Sequence, residues 1–202
     1  MLLHFYVEEA SAEAALVELV PRILQDYTDK FEYEIYPFPG KLALLRNLPN
    51  RLKTYRHFSD QDWRVIVLID RDDEDCEELK RRIERIALEA GLATRSSTPQ
   101  HFQVINRIAI EELEAWFFGD IEAVVAAYPR VDPDIARQAA YRDPDAIRGG
   151  TWEQLERILK FYHPGGLEKI RAATDISHHM EPERNRSNSF QVFRNALLDL
   201  FD

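Results

Sequence analysis

The sequence predicts an α/β fold with a mainly parallel sheet of about four strands, flanked by helices and followed by a helical appendage. Up to about residue 123, short apolar runs alternate with segments of helical periodicity, and residues 65–69 form an unbroken apolar stretch typical of a strand buried on both faces. After residue 123, short helical pieces are separated by Pro and Gly, and no strand candidate occurs. We therefore predict an α/β domain at residues 1–123 and a helical appendage at residues 124–202 that packs on it.

The first half of the chain contains three predicted strands. The first is "LLHFYVE" at residues 2–8, and a helix with its N-cap at Ser11 follows it. The second is the alternating segment "FEYEIYPF" at residues 31–38. A basic helical segment, interrupted at Pro49, leads to the clearest strand, "RVIVLID" at residues 64–70.

The chain continues with a strongly marked helix and a weaker fourth strand. Acidic residues lead the helix from Asp75 to Gly91, and the glycine closes it as a C′ residue. The fourth strand is "FQVINRIAI" at residues 102–110, and "EELEAWFF" at residues 111–118 starts the next helix. We expect Trp116 in that segment to belong to the core.

The appendage contains two longer helices. "TWEQLERILKFY" has Thr151 as its predicted N-cap, because Gln154 follows at the spacing of a capping box. The amphipathic segment "SFQVFRNALLDLF" at residues 189–201 follows a loop whose Ser187 is its expected N-cap.

Composition excludes several classes of protein. The chain has one cysteine, Cys76, so neither an internal disulfide nor a cysteine zinc cage can stabilise it. Its formal net charge of −10 argues against nonspecific binding of nucleic acid over a broad surface. No apolar run approaches membrane-spanning length, and the start "MLLHFYVEEA" lacks the features of a secretory signal. We expect a cytoplasmic protein without a membrane partner.

Acidic residues follow three of the predicted strands. They are Glu8 and Glu9 after the first strand, Asp70, Asp72 and Asp73 after the third, and Glu111, Glu112 and Glu114 after the fourth. In an open parallel sheet the carboxyl ends of the strands meet at one edge, where ligands bind. Carboxylates that lie close together repel one another unless a cation lies among them. The pattern therefore predicts a magnesium or manganese site, although acids at a helix N-terminus can also serve only as caps and dipole partners.

A divalent metal between carboxylates points to phosphoryl transfer, because it activates water and stabilises the charge that develops on a phosphate. Phosphodiester cleavage is the simplest reaction of this kind. A P-loop nucleotidase is excluded, because no Gly-rich loop ends in Lys and Ser or Thr.

Two segments carry a resemblance to a known superfamily. A strand ending in glutamate, "FYVEEASAEAAL", is followed by an apolar strand ending in Asp-x-Asp, "VLIDRD". This arrangement resembles the Toprim domain of topoisomerases, primases and overcoming-lysogenization-defect nucleases, over roughly residues 1–120. The resemblance implies that Glu8 is a metal ligand or general acid/base and that Asp70 and Asp72 bind magnesium.

Two further segments, "LEAWFFGD" at residues 113–120 and "RSNSFQVFRNAL" at residues 186–197, are similar to an uncharacterised family of small bacterial Toprim-like proteins. Those proteins are often encoded beside AAA-type ATPases and are associated with phage defence. The resemblance implies Glu114 as a later metal ligand, and nucleic acid or an ATPase as a partner.

The chain departs from the Toprim pattern at one position. Toprim proteins commonly have glycine after the glutamate, where this chain has Glu9. Either Glu8 or Glu9 can therefore be the functional acid, and Asp73 is a further candidate ligand.

A basic segment interrupts the acidic chain at residues 40–58, "GKLALLRNLPNRLKTYRHF", which contains no acid. Its cations are Lys41, Arg46, Arg51, Lys53 and Arg56. They form either the solvated face of a helix or a contact surface for the phosphate backbone of a nucleic acid.

The main alternative to an enzyme is a catalytically silent, metal-binding Toprim-like protein that recognises nucleic acid or docks on an ATPase. In that case Trp152, Phe190 and Phe193 would lie on an exposed face. The oligomeric state is left open by the sequence.

Overall fold

The computed structural model of the chain describes residues 1–58 and 62–201. Its contacts group the chain into two compact units. The first contains Met1–Glu13 and Tyr27–Ile108, and the second contains Ala14–Asp26 and the chain from Ala109 onward. The predicted domain division after residue 123 falls inside the second unit and stays a prediction.

The first unit contains a four-stranded parallel sheet, which confirms the predicted fold class. Its strands are β1 (Leu2–Val7), β2 (Glu32–Pro37), β3 (Trp63–Asp70) and β4 (Val104–Ala109), in the spatial order β2-β1-β3-β4. β1 pairs in parallel with both β2 and β3, so that Phe5 lies opposite Ile35 on one side and Ile66 on the other. The apolar stretch in β3 is buried on both faces, as a central parallel strand requires.

Helix α2 (Lys41–Thr54) runs through Pro49 without a break, so the predicted interruption is wrong. Leu44, Leu48 and Leu52 recur at a spacing of four residues and are fully buried in the core that includes strand β3. Burial of these leucines on both sides of Pro49 offsets the backbone hydrogen bond that proline cannot donate.

Helix α3 (Cys76–Glu89) confirms the predicted boundaries at both ends. The Asp75 side chain accepts a hydrogen bond from the Glu78 backbone N–H at 2.8 Å, which is an N-cap contact. At the other end, Gly91 has a φ angle of 77°, the left-handed conformation that glycine adopts without a Cβ penalty.

Helix α1 (Ala10–Ile23) starts earlier than the sequence predicts. The Glu9 carbonyl accepts hydrogen bonds from the N–H groups of Ala12 and Glu13, so Ser11 lies in the first turn and is not the N-cap. The Ser11 hydroxyl instead donates to Glu9 Oε2 at 3.4 Å. The helix start is thus set by the residue that directly follows Glu8.

The second unit is helical. It contains most of α1 together with α4 (Glu114–Gly119), α5 (Ile121–Ala127), α6 (Thr151–Leu159), α7 (Lys169–Ser177) and α8 (Asn188–Leu198). Within the described residues after Ala109 there is no strand, as predicted. None of the helices in the described ranges is long and apolar enough to cross a membrane.

An aromatic cluster forms the core of the second unit. Trp116 lies 5.1 Å from Phe190 and 5.0 Å from Phe193 between ring centroids, and its indole N–H donates to Ser189 Oγ at 3.0 Å. All three rings are fully buried. Trp116 is therefore a core residue, as predicted, whereas the suggestion that Phe190 and Phe193 lie on an exposed face is wrong. Their apolar area is buried against Trp116, away from solvent.

The helix caps of the second unit are partly predicted by the sequence. Ser187 is the N-cap of α8 and accepts from the Phe190 N–H, as expected. Thr151 is not a cap, because α6 begins at Thr151 itself. Its hydroxyl and the Trp152 N–H both donate to Glu112 Oε2 at 2.9 Å, so a carboxylate 39 residues earlier caps this helix.

Candidate active site

The strand order places the carboxyl ends of β1 and β3 side by side. From β1 the chain moves to β2 at one edge, then returns to β3 on the other side of β1. This reversal is the switch point at which open α/β sheets bind ligands. Glu8 directly follows β1, and Asp70 is the last residue of β3, so two of the predicted site residues lie there.

The Glu8 carboxylate joins two segments that are distant in sequence. Its Oε1 accepts from the Lys41 backbone N–H at 3.0 Å, and its Oε2 accepts from the Asp70 backbone N–H, 62 residues away, at 3.1 Å. Glu8 is only 9% exposed. The start of α2 and the end of β3 are therefore both fixed to this carboxylate.

Burial raises the pKa of Glu8, because the ionised carboxylate loses contact with water. The hydrogen bond from the Asp70 N–H opposes this effect, and the negative charge of Asp72 adds to it. The charge of Asp72 therefore acts on the Glu8 carboxylate. A buried carboxylate with a raised pKa in such a place is suited to proton transfer.

Asp72 lies in the loop between β3 and α3 in an uncommon backbone conformation. Its φ angle is 50°, in the left-handed region that Asp tolerates better than most residues other than glycine. Its side chain is 48% exposed, and its Oδ2 lies 2.6 Å from Lys41 Nζ. Asp70, one position before Arg71, is partly buried at the end of β3.

Lys41 is the cation that lies among these acids. Its ammonium contacts Asp72, Glu74 Oε1 at 3.2 Å and the Arg71 carbonyl at 3.0 Å, and its side chain is only 10% exposed. Burial alone would lower the pKa of Lys41, but hydrogen bonds to Asp72 and Glu74 outweigh it and raise the pKa. From the sequence, Lys41 is a candidate phosphate contact, and Glu74 is not among the predicted site residues. The ion pair of Lys41 with Asp72 could have been predicted from the position of Lys41. It follows the second strand, so it starts from the same edge of the sheet as the acids.

Glu9, Asp73 and Glu114 are the remaining predicted metal ligands. Glu9 is partly buried at the start of α1, and Asp73 is exposed. Glu114 is buried in α4 of the second unit, where Glu112 caps α6. The assignments of Glu9, Asp73 and Glu114 as metal ligands stay predictions.

The donor set at the edge fits a hard divalent cation in its chemistry, because Glu8, Asp70 and Asp72 all provide carboxylate oxygens. In the described part of the chain, no three His, Cys, Asp or Glu side chains are already placed to hold a metal ion. Glu8 receives two backbone N–H groups, and Asp72 is paired with Lys41. The Lys41 ammonium thus offsets the negative charges of Asp72 and Glu74.

The cations of the basic segment differ in their surroundings. Arg46, Arg51 and Lys53 lie on α2 and are exposed. Arg56 donates through its guanidinium to the carbonyls of Ala90 and Glu89, so it binds the C-terminal end of α3. Arg56 is exposed as well but is held at the end of α3, whereas Arg46, Arg51 and Lys53 project from α2.

Comparison with known proteins gives one family and one similar structure. The family described as "Domain of unknown function (DUF4276)" matches residues 7–198. No curated protein matches the chain. The chain is similar to the C-terminal region of the Burkholderia pseudomallei OLD protein, with 14% identity and a TM-score of 0.50, over 96% of this chain and 98% of that one. This likeness shows that the two chains share a similar fold.

Proposed function

The chain belongs to the DUF4276 family. From the carboxylates at the sheet edge and the resemblance found in the sequence, we propose that it is a magnesium- or manganese-dependent nuclease-like protein that cleaves phosphodiester bonds. One observation carries the proposal. Glu8 and Asp70 meet at the carboxyl edge between β1 and β3, with Glu8 Oε2 3.1 Å from the Asp70 N–H. Functional carboxylates at this point of an open α/β sheet are suited to a metal and a phosphate.

Each carboxylate has a separate role in the proposal. Asp70 and Asp72 hold the cation, and Glu8 either completes its ligands or accepts a proton from the attacking water. When bound, the cation supplies charge for the phosphate oxygens and makes water a better nucleophile. The burial of Glu8 supports the proton-accepting role, because it raises the pKa of this carboxylate.

The partners in the proposal follow the resemblance found in the sequence. Nucleic acid is the substrate, an AAA-type ATPase is a candidate partner, and phage defence is the process. A catalytically silent protein with the same site is the second candidate, and the ion pair of Asp72 with Lys41, which engages one of the proposed ligands, favours it. Metal and nucleic-acid binding without cleavage would identify that second function.

Metal dependence is the first test of the proposal. Wild-type protein is expected to bind Mn²⁺ or Mg²⁺ in calorimetric titration and to cleave labelled DNA or RNA strands only when the metal is present, with EDTA abolishing cleavage. Asp70→Asn should weaken metal binding by about tenfold or more, because the variant loses a charged ligand.

The matched control is Glu77→Gln, which removes the same charge from an exposed position in the first turn of α3. Its titration should equal that of the wild type. Identical traces for wild type and Asp70→Asn would contradict the metal site.

Salt dependence tests the exposed cations of α2. If Arg46, Arg51 and Lys53 contact phosphates, log affinity for a labelled nucleic acid should fall linearly with log salt. The triple Gln variant should lose about two to three units of that slope. Arg137→Gln is the control, because Arg137 is exposed in the second unit. An unchanged slope in the triple variant would show that these residues are only a solvated helix face.

A further inference from the structure

The Lys41 ammonium is buried and contacts three acceptors in the loop that follows β3. Its ammonium has three N–H groups and three acceptors, which are Asp72 Oδ2, Glu74 Oε1 and the Arg71 carbonyl. The side chain is nine-tenths buried. All of the donor capacity of this cation is therefore used within the loop that follows β3.

Lys41 also acts through its backbone. The Lys41 N–H donates to Glu8 Oε1, while its ammonium contacts Asp72. One residue thus fixes a carboxylate from the end of β1 and another from the loop after β3. Both contacts are possible because Lys41 is the first residue of α2. Its backbone N–H has no partner within the helix and can donate to Glu8, while its side chain is free to contact Asp72.

The two acids paired with Lys41 are not equivalent. Glu74 has a second cationic partner, since its Oε2 lies 2.8 Å from the Arg82 guanidinium. The Asp72 carboxylate is paired with Lys41, while the Arg71 guanidinium donates to the backbone carbonyl of Asp72 at 3.1 Å. If the ammonium moves away, Glu74 keeps its ion pair with Arg82, whereas the ion pair between Asp72 and Lys41 is lost. Asp72 is also about half exposed, so an ion from solvent can reach it.

We propose that Lys41 is a built-in counter-ion of this site, and that its ammonium releases Asp72 when a divalent cation binds. The inference rests on the proposed metal-dependent function and adds a positioning role for Lys41. The ammonium holds Asp72 in place before the metal arrives. Because the ammonium and a metal held by Asp72 would both need its carboxylate, their binding would be competitive.

Lys41→Met tests the competition, since methionine keeps much of the side-chain volume and removes the charge. Calorimetric titration of Mn²⁺ into the full chain at low salt should show about fivefold tighter binding in the variant than in the wild type. The melting temperature without metal should be lower in the variant, and saturating Mn²⁺ should raise it more than in the wild type. Lys53→Met, an exposed lysine on the same helix, should match the wild type in both measurements.

A second measurement uses the wild-type protein and does not depend on the folding of a variant. Reductive methylation followed by peptide mass spectrometry reports how accessible each lysine is. Methylation of Lys41 should be slow without metal and several times faster with saturating Mg²⁺, whereas that of Lys53 should not change.

Two results would overturn the inference in different ways. In the first, the wild type binds metal, but Lys41→Met binds it no more tightly, or the rate of Lys41 methylation is the same with and without Mg²⁺. Lys41 then does not exchange with the metal, and the proposed function stands. If the wild type shows no metal binding at all, the proposed function and this inference both fail. The wild-type titration therefore separates the two failures.

Discussion

Glu8→Gln is expected to lower the rate of metal-dependent phosphodiester cleavage by about a hundredfold or more, the range for loss of a general acid or base. Glutamine has nearly the same size, but it carries no charge and cannot accept a proton at neutral pH. The two backbone N–H groups of Lys41 and Asp70 now donate to separate oxygens of Glu8. In the variant one of them would face an amide NH₂, so the free energy of unfolding should also fall by about 1–2 kcal/mol.

Glu9→Gln is the matched control and decides which of the two adjacent acids is functional. Glu9 carries the same charge one residue later, and its Oε2 lies 3.4 Å from the Ser11 hydroxyl. We expect this variant to cleave within about twofold of the wild-type rate, because general acid/base catalysis requires direct reach to the reacting proton. Cleavage assays at saturating metal measure both variants, and a larger loss in Glu9→Gln than in Glu8→Gln would contradict the assignment of Glu8.

Asp120→Ala is expected to lower the free energy of unfolding by about 2–3 kcal/mol, because it removes a buried carboxylate that accepts several hydrogen bonds, some of them from a charged group. Asp120 is 2% exposed. Its two oxygens accept from the guanidinium of Arg184 at 2.8 and 3.0 Å, and Oδ2 also accepts from the Glu181 N–H at 2.8 Å. Oδ1 accepts from the Ala123 N–H at the start of α5. Alanine would remove this acceptor from the Glu181 N–H, whereas Arg184 keeps its contact with Glu122 and the Ala123 N–H keeps the Asp120 carbonyl.

The control for Asp120 is a second acid on the same arginine. Glu122 Oε2 lies 2.7 Å from Arg184 Nε, but its side chain is 72% exposed. Glu122→Gln should therefore change the free energy of unfolding by about 1 kcal/mol or less, as for other exposed ion pairs. Urea-induced unfolding of both variants measures the difference. Equal losses would show that burial does not set the strength of these contacts.

The local elements were largely predictable from the sequence because they depend on neighbouring residues. The apolar run at residues 65–69 lies in a buried central strand, and Asp75 and Gly91 bound α3 as predicted. Where prediction was wrong, a distant partner was involved. Pro49 lies inside α2 because the leucines around it are anchored in the core, and α6 is capped by Glu112 rather than by Thr151.

The candidate site, too, was predictable where it depends on local sequence and unpredictable where it depends on distant partners. The sequence predicted that acids would gather at the carboxyl edge of the sheet, and Glu8 and Asp70 do lie together there. It did not predict that the cation among them would be Lys41, with Glu74 as a second partner. A charge run reports only composition, whereas the partner of each carboxylate depends on which loop is folded against it.

By itself, the sequence determined the α/β class, the strands, the helical character of the chain beyond β4 and the acids that follow the strands, because hydrophobic periodicity and strand-end position are local properties. The tertiary structure alone decided that β1 lies beside β3, so that Glu8 reaches Asp70 across 62 residues, and that Phe190 and Phe193 are buried against Trp116. Such pairings are set by packing between elements that are remote in the chain, and no local pattern encodes them.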